Sequence, residues 1–145
     1  MTRTQTTVPL VERVIFLRRA PLFAGLPPQD LQPIAEVAEE HLIGEGDLIA
    51  EEGDPGDTAY VIVDGEVEVL AGDRTLAVRG TGDVIGEMSV ISSRPRVASL
   101  RAKSQVRVLE IHKPAFESIL RERPETALAL LRVLSARLAA YDPPS

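Results

Sequence analysis

The stretch TAYVIVDGEVEVL, residues 58–70, gives the first indication of the fold. The pair Asp64 and Gly65 lies between two runs typical of strands, an apolar one at 59–63 and one at 66–70 in which polar and apolar residues alternate. An Asp-Gly pair between two such runs is typical of a two-residue β-hairpin, because a type I′ turn needs positive φ at its central residues. The stretch therefore predicts two short antiparallel strands joined at Asp64 and Gly65.

The residues on either side predict more strands of the same kind. Between residues 44 and 112, glycines recur between short runs rich in valine and isoleucine, which is typical of strands separated by turns. Gly72 marks a further tight turn, and Val106 and Val108 alternate with polar residues in the last run. Short antiparallel strands at this spacing predict a small barrel or jelly roll.

Helical patterns flank the predicted barrel. Apolar residues at helical spacing predict a short amphipathic helix at 10–20, and a second helix from Pro28 to about Glu40. Residues 114–140 predict two more helices, because Pro114 and Pro124 both suit the first turn of a helix. The predicted fold class is therefore α+β, mainly β: an antiparallel jelly-roll barrel with N-terminal and C-terminal helices.

Length and composition suggest one globular domain. The chain has 145 residues, of which 44% are hydrophobic and 26% charged. The expected boundaries are a flexible N-terminus at 1–9, one domain at 10–141 and a flexible end at 142–145. The formal charge of -6 argues against direct nucleic-acid binding, because neutralising phosphates needs clustered lysine and arginine.

Several function classes find no support in the sequence. The chain has no cysteine, which fits a reducing cytoplasm, and its first twenty residues form neither a signal peptide nor a membrane span. His41 and His112 lie far apart without a metal-binding spacing, so no metal or cofactor is expected. No nucleophile-base pair stands out, so we expect the chain not to be an enzyme.

The stretch GEMSVISSRPRVASL, residues 86–100, predicts a binding site for a small anion. Gly86 allows close backbone approach, and a helical turn starting at Glu87 would present N–H groups to a phosphate. Arg96 can grip phosphate oxygens through two parallel hydrogen bonds, and Pro95 restricts the chain that leads to it. Glu87 would suit a hydroxyl next to that phosphate, as in a ribose.

These residues resemble the signature of the cyclic-nucleotide-binding domain family, which includes the bacterial catabolite activator, protein kinase A regulatory subunits and cyclic-nucleotide-gated channels. The family pattern of Gly-Glu-Leu-Ala followed by Pro-Arg and a small residue reads here as GEMS at 86–89 and PRVA at 95–98. The resemblance covers roughly residues 16–141. It includes the glycines of the upstream segment GDLIAEEGDPGDTAYVIVDGEVEV.

The resemblance implies roles for individual residues. Arg96 would bind the cyclic phosphate, Glu87 the ribose 2′-hydroxyl, and the backbone of residues 86–89 would add N–H donors. The motif positions Met88, Ser89, Pro95 and Val97 are also implied ligand contacts. Val69, Leu76 and Ile85 would form an apolar wall of the pocket. Tyr141 would lie over the base as a lid.

The resemblance also implies a ligand and a mode of regulation. Val97 stands where guanine-preferring members often have threonine, which favours cAMP over cGMP. Binding would reposition the second C-terminal helix, the C helix of the family, which follows its B helix.

Two alternatives to a nucleotide sensor remain open. The domain could keep the fold, bind no nucleotide, and use the widened apolar surface of its last helix, around Leu130 and Val133, to dock a partner or form a homodimer. An enzyme is the third and weakest hypothesis.

Overall fold

A computed structural model describes residues 7–92 and 94–141 of the chain. Within these residues, antiparallel strands form two four-stranded sheets, one ordered β1-β8-β3-β6 and the other β2-β7-β4-β5. The strands are β1 Glu39–Ile43, β2 Leu48–Ala50, β3 Thr58–Asp64, β4 Val67–Ala71, β5 Arg74–Arg79, β6 Val84–Ile85, β7 Ser99–Ala102 and β8 Val106–His112. The predicted fold class, a mainly β jelly roll with flanking helices, is confirmed.

The helices lie before and after the strands, as predicted. They are α1 Leu10–Leu17, α2 Pro21–Ala24, α3 Pro28–Val37, α4 Lys113–Glu122 and α5 Pro124–Tyr141, and a short 3₁₀ turn spans Glu87–Val90. In the part of the chain that the structure describes, no helix has both the length and the apolar character needed to cross a membrane.

Helix α3 ends earlier than predicted. Its backbone turns extended at Ala38, and the next residues pair with β8, where Glu39 lies opposite Glu110. The Arg13 guanidinium donates hydrogen bonds to the carbonyl oxygens of Ala35 and Ala38, at 3.1 and 2.7 Å. These bonds satisfy carbonyl groups at the end of the helix, which have no partner within it.

The predicted hairpin at Asp64 and Gly65 is wrong, although both of its strands exist. Strand β3 pairs with β6 and β8, whereas β4 pairs with β5 and β7, so the two lie in different sheets. Gly65, with φ of 101°, turns the chain from one sheet into the other. A Cβ there would lie 2.4 Å from the carbonyl oxygen of Gln105, so the corner is closely packed. The tight turn predicted at Gly72 does join a hairpin, between β4 and β5.

The first sheet separates two hydrophobic cores. Alternate residues of β3 and β8 face the helices, where the rings of Phe23 and Phe116 lie 5.7 Å apart. The intervening residues, including Tyr60 and Ile62, face the interior of the barrel. Strand β3 is therefore buried on both faces from Thr58 to Ile62.

Helix α5 presents a different face to the core than the sequence suggested. Leu130 is 3% exposed, and Val133 packs so close to Gly25 that a Cβ there would lie 2.4 Å from it. A buried hydrogen bond of 2.9 Å from the Thr126 hydroxyl to the Asp30 carboxylate fixes this rotation. The predicted docking surface around Leu130 and Val133 is therefore wrong, because both residues pack inward.

The structure describes only part of the two terminal segments. Of the segments expected to be flexible, residues 1–6 and 142–145 lie outside the described residues. Val8, in the N-terminal segment, is among the described residues and is buried. Its backbone N–H donates a hydrogen bond to the Glu40 carboxylate at 2.7 Å.

Candidate functional site

Gly86 is the centre of the predicted anion site. It has a left-handed conformation, with φ of 70° and ψ of 33°, between strand β6 and the 3₁₀ turn that begins at Glu87. A Cβ on Gly86 would lie 3.2 Å from Arg96 Nη1, from Ser89 Oγ and from the Thr58 carbonyl oxygen. A guanidinium, a hydroxyl and a bare stretch of backbone therefore lie around one small space.

Two sets of contacts hold Arg96 in place. Its Nη2 donates a hydrogen bond to the carbonyl oxygen of Thr58, and its guanidinium carbon lies 5.2 Å from the centre of the Tyr60 ring. Its backbone N–H donates to the Asp54 carbonyl, and its own carbonyl accepts from the Gly53 N–H, both at 2.8 Å. Arg96 is thus oriented before any ligand arrives, which lowers the entropy lost on binding.

The loop of residues 51–57 can lie this close only because residue 56 is glycine. A Cβ on Gly56 would lie 1.8 Å from the carbonyl oxygen of Arg94, well inside van der Waals contact. Gly56 therefore brings the loop against the segment that carries Arg96.

A cleft of about 350 Å³ opens beside Gly86 and Arg96. Its volume lies at the lower end of the range of small-molecule sites, about 300–1,000 Å³. Seven of the predicted ligand-binding residues line it: Val69, Ile85, Gly86, Ser89, Pro95, Arg96 and Val97. The other lining residues were not among the predicted contacts: Gly56, Arg94, Ala98 and Leu100.

Signals for some of these missed residues were present. Ala98 is the last residue of the motif that predicted Arg96, Arg94 directly precedes that motif, and Gly56 follows a proline in a glycine-rich turn. Leu100 is 2% exposed and gave no signal beyond the alternation of a strand.

Four predicted contacts do not line the cleft. Leu76, on β5, is 48% exposed, and Met88, in the 3₁₀ turn, is 39% exposed. Tyr141 is 87% exposed at the end of α5 and does not cover the cleft. The fourth is Glu87, whose carboxylate binds elsewhere.

The Glu87 carboxylate joins three elements. One oxygen, Oε2, accepts a 2.9 Å hydrogen bond from the backbone N–H of Leu22, in α2. The other, Oε1, lies 3.5 Å from Nη1 of Arg137, in α5. This Nη1 is buried and makes no hydrogen bond to the described residues. Its contact with the Glu87 carboxylate is therefore an ion pair without a hydrogen bond. The 3₁₀ turn is thereby linked to helices on both ends of the chain.

Tyr60 connects the cleft to the barrel interior. Its pKa is raised to about 12, mainly by burial and also by the charge of Glu110, while the charge of Arg96 acts in the opposite direction. The phenol therefore stays protonated at neutral pH, so Arg96 lies over a neutral aromatic ring.

Comparisons with known proteins identify the family. A family model described as cyclic nucleotide-binding domain matches residues 40–123, more than half of the chain. A "CRP-like cAMP-activated global transcriptional regulator" from Mycobacterium tuberculosis is 31% identical over 127 residues, which cover 84% of this chain and 57% of that protein. A "cAMP-dependent protein kinase regulatory subunit" from Hypocrea atroviridis is 33% identical over 105 residues, which cover 72% of this chain and 23% of that protein.

A solved structure is similar over nearly its whole length. The N-terminal domain of a transcriptional regulator from Streptomyces coelicolor A3(2) superposes with a TM-score of 0.80 at 35% identity. The match covers 88% of this chain and 94% of that one. The chain spans little more than half the length of the Mycobacterium tuberculosis protein and less than a quarter of the Hypocrea atroviridis protein.

Proposed function

Because this chain belongs to the cyclic nucleotide-binding domain family, we propose that it is a regulatory sensor module that binds cAMP, in preference to cGMP, in the cleft beside Gly86. The observation that carries the proposal is the convergence of Arg96 Nη1 and Ser89 Oγ on the backbone of Gly86. The proposed role is regulatory and not enzymatic.

The cyclic phosphate would bind between Arg96 and Gly86. One Arg96 nitrogen, Nη2, is already bound to Thr58, while Nη1 points toward Gly86. A guanidinium binds a phosphate more strongly than a neutral donor does, because the hydrogen bond is charge-assisted. The Ser89 hydroxyl would add a donor of its own.

The base would lie against the apolar part of the cleft. Val69, Ile85 and Leu100 line this part and bring no polar side-chain atom. Val97 lies at the mouth of the cleft, is 85% exposed, and carries no group that could donate to a guanine carbonyl. This supports a preference for cAMP over cGMP.

Glu87 supplies a route from the ligand to α5. To bind a ribose hydroxyl, its carboxylate must share or give up its contacts with Leu22 and Arg137. A ligand shifts an equilibrium only through different affinities for the two states, and competition for one carboxylate provides such a difference. Ligand binding would therefore loosen α5 at Arg137 and reposition it.

Calorimetric titration with cAMP and cGMP in parallel tests the proposal. The protein should first be shown to carry no co-purified nucleotide. We expect saturable binding of one cAMP per chain and weaker binding of cGMP. Absence of binding by both nucleotides would refute the sensor function, and tighter cGMP binding would refute the role given to Val97.

The outer face of α5 supports a second candidate function, self-association. Leu128, Leu131 and Leu138 are 51, 61 and 65% exposed. Together with Ser135 they recur at intervals of three and four residues, which is the spacing of a coiled-coil seam. A second copy of α5 would cover this seam, with or without nucleotide in the cleft. An effector protein that docks on the same helix is the alternative occupant.

A further inference from the structure

The two histidines of the chain lie together at one end of the first sheet. His41 is on β1 and His112 is the last residue of β8. Their Nε2 atoms both lie 3.0 Å from the same oxygen of Glu110, Oε1. The long sequence separation that argued against a metal site therefore does not separate them in the fold.

Strand register places four donor groups on one face. Glu39 lies directly opposite Glu110 in the antiparallel pair of β1 and β8. Residues two apart on a strand share a face, so His41 joins Glu39 and His112 joins Glu110 on that face. Glu39 Oε1 lies 3.4 Å from the Nε2 of His41 and 3.6 Å from that of His112.

The four separations between an imidazole nitrogen and a carboxylate oxygen are close to those within a zinc coordination shell. Metal–ligand bonds of about 2.0–2.1 Å place neighbouring donor atoms about 3.3–3.4 Å apart. These four separations range from 3.0 to 3.6 Å. Glu39, Glu110 and His112 form a set of three whose donor atoms all lie within 4.8 Å of one another. His41 lies outside that set and contacts it through the two carboxylates, so its imidazole must move toward His112 to become a fourth ligand.

A neighbouring side chain already orients one of these groups. The Thr58 hydroxyl lies 3.4 Å from Nδ1 of His112, which leaves Nε2 directed toward the carboxylates. Tyr60 lies opposite Glu110 in the antiparallel pair of β3 and β8, so the two side chains share one face of the sheet. Outer contacts of this kind fix the orientation of metal ligands. The imidazole side chains are 44 and 38% exposed, so an ion can reach them from solvent.

We propose that Glu39, His41, Glu110 and His112 form a binding site for a divalent transition-metal ion, Zn²⁺ in particular, at the edge between β1 and β8. Two imidazole nitrogens with two carboxylate oxygens suit Zn²⁺, whereas Mg²⁺ and Ca²⁺ prefer oxygen alone. None of these four residues is among those that line the cleft at Gly86.

Zinc titration of the tag-free, metal-stripped protein tests the proposal, with competition against a chromophoric chelator as the readout. We expect one Zn²⁺ per chain, and a loss of affinity of about tenfold or more in His112→Gln and in His41→Gln, since each removes one ligand of four. Asp73→Asn is the control, because Asp73 is an exposed carboxylate in the turn between β4 and β5. Its zinc affinity should equal that of the wild type.

A second readout uses the unchanged protein. The chain contains 2 histidines and no cysteine, so every imidazole signal in a proton–nitrogen spectrum belongs to this cluster. Both imidazoles should shift on addition of one equivalent of Zn²⁺, and excess Mg²⁺ should not reverse the shift. Imidazole signals that do not respond, zinc affinity equal in the wild type and both histidine variants, or equal weakening by Asp73→Asn would each overturn the proposal.

Discussion

At the scale of single residues, Arg96 contributes both charge and shape to the cleft. Arg96→Lys keeps the charge but loses the planar guanidinium. The lysine ammonium cannot bind the Thr58 carbonyl and a phosphate in the same geometry. We expect cAMP affinity to fall about 10- to 100-fold in Arg96→Lys, and further in Arg96→Ala, where a charge-assisted partner worth about 1.5–3 kcal/mol disappears. Calorimetry measures both changes.

Arg74→Ala is the matched control for these variants, because Arg74 is an exposed arginine on β5 outside the cleft. It should bind cAMP like the wild type. Thermal unfolding separates lost affinity from lost folding, since Arg96 also supports the barrel through Thr58. Unchanged affinity in a folded Arg96→Ala protein would contradict the phosphate role.

The raised pKa of Tyr60 makes the folded protein less stable as the pH rises in the alkaline range. The folded protein raises its pKa from 10.0 to about 12, so its contribution to stability is complete below pH 10 and is lost as the pH rises toward 12. The loss amounts to about 2–3 kcal/mol, since one unit corresponds to about 1.4 kcal/mol. Denaturant unfolding across this range should show a steeper decline for the wild type than for Tyr60→Phe.

A direct titration complements this comparison. Tyr141 is the other tyrosine of the chain, so ultraviolet absorbance of a Tyr141→Phe variant reports Tyr60 alone. Phenolate that forms well below pH 11 in the folded variant would contradict the raised pKa.

The sequence predicted which residues lie together around the cleft where those residues are close in the chain. Gly86, Ser89 and Arg96 belong to one short motif, whose residue types state their chemistry. The contact between Glu87 and Leu22 spans 65 residues, and that between His41 and Glu110 spans 69. Such pairs are created by the packing of elements, which a local pattern does not encode.

At the scale of elements, the packing of two loops depends on Gly56. In Gly56→Ala the new methyl group would collide with the Arg94 carbonyl, so the loop of residues 51–57 must move away from Arg96. We expect a loss of unfolding free energy of about 2–4 kcal/mol, since a buried backbone clash has no flexible partner that can give way. Nucleotide affinity should fall as well.

Gly80→Ala is the matched control, because nothing lies within 4 Å of a Cβ at Gly80 and its φ is not positive. Denaturant unfolding of both variants measures the difference. Equal stability of the two variants would show that the loop yields easily.

Elements were predictable where one periodicity governs them. The helices beginning at Leu10, Pro28 and Pro124 have clear start signals, and the β4–β5 hairpin has its glycine. The connection at Gly65 was misread because β3 is buried on both faces. A strand that is covered by helices on one face and by the barrel on the other is apolar on both faces. Its sequence therefore does not show whether the next strand pairs with it or lies in the other sheet.

The link between the 3₁₀ turn and α5 predicts a change in coupling. In Arg137→Met the helix loses its ion pair with Glu87 and keeps most of its apolar stem. A half-buried pair contributes about 1 kcal/mol or less, so cAMP affinity should change less than about fivefold. Hydrogen exchange along α5 should respond to cAMP in the wild type and respond far less in Arg137→Met.

Arg132→Met is the control on the same helix, since Arg132 is exposed and lies on the outer face. Its α5 should respond to cAMP like that of the wild type. An equal response in Arg137→Met would show that the signal reaches α5 by another route.

At the scale of the whole molecule, the helices that precede the strands and those that follow them pack together behind the first sheet. Helices α2, α3 and α4 pack with α5 against one face of β3 and β8, while the cleft lies on the barrel side of the same strands. The cleft and the helices are therefore separated by a single sheet, and the segment of Gly86 and Glu87 contacts both sides. A small movement at the cleft can reach α5 without rearranging the barrel.

The outer seam of α5 predicts that the module forms a dimer. Leu131→Glu places a charge in the middle of this seam, and because Leu131 is 61% exposed the fold of the single chain should tolerate it. The dimer dissociation constant should rise about tenfold or more, which corresponds to about 1.4 kcal/mol per factor of ten. Sedimentation measures the change.

Val78→Glu, at a position 41% exposed on β5, introduces the same charge away from the seam and should leave the dimer intact. A wild-type chain that stays monomeric at high concentration would exclude a second copy and leave an effector protein as the occupant of α5.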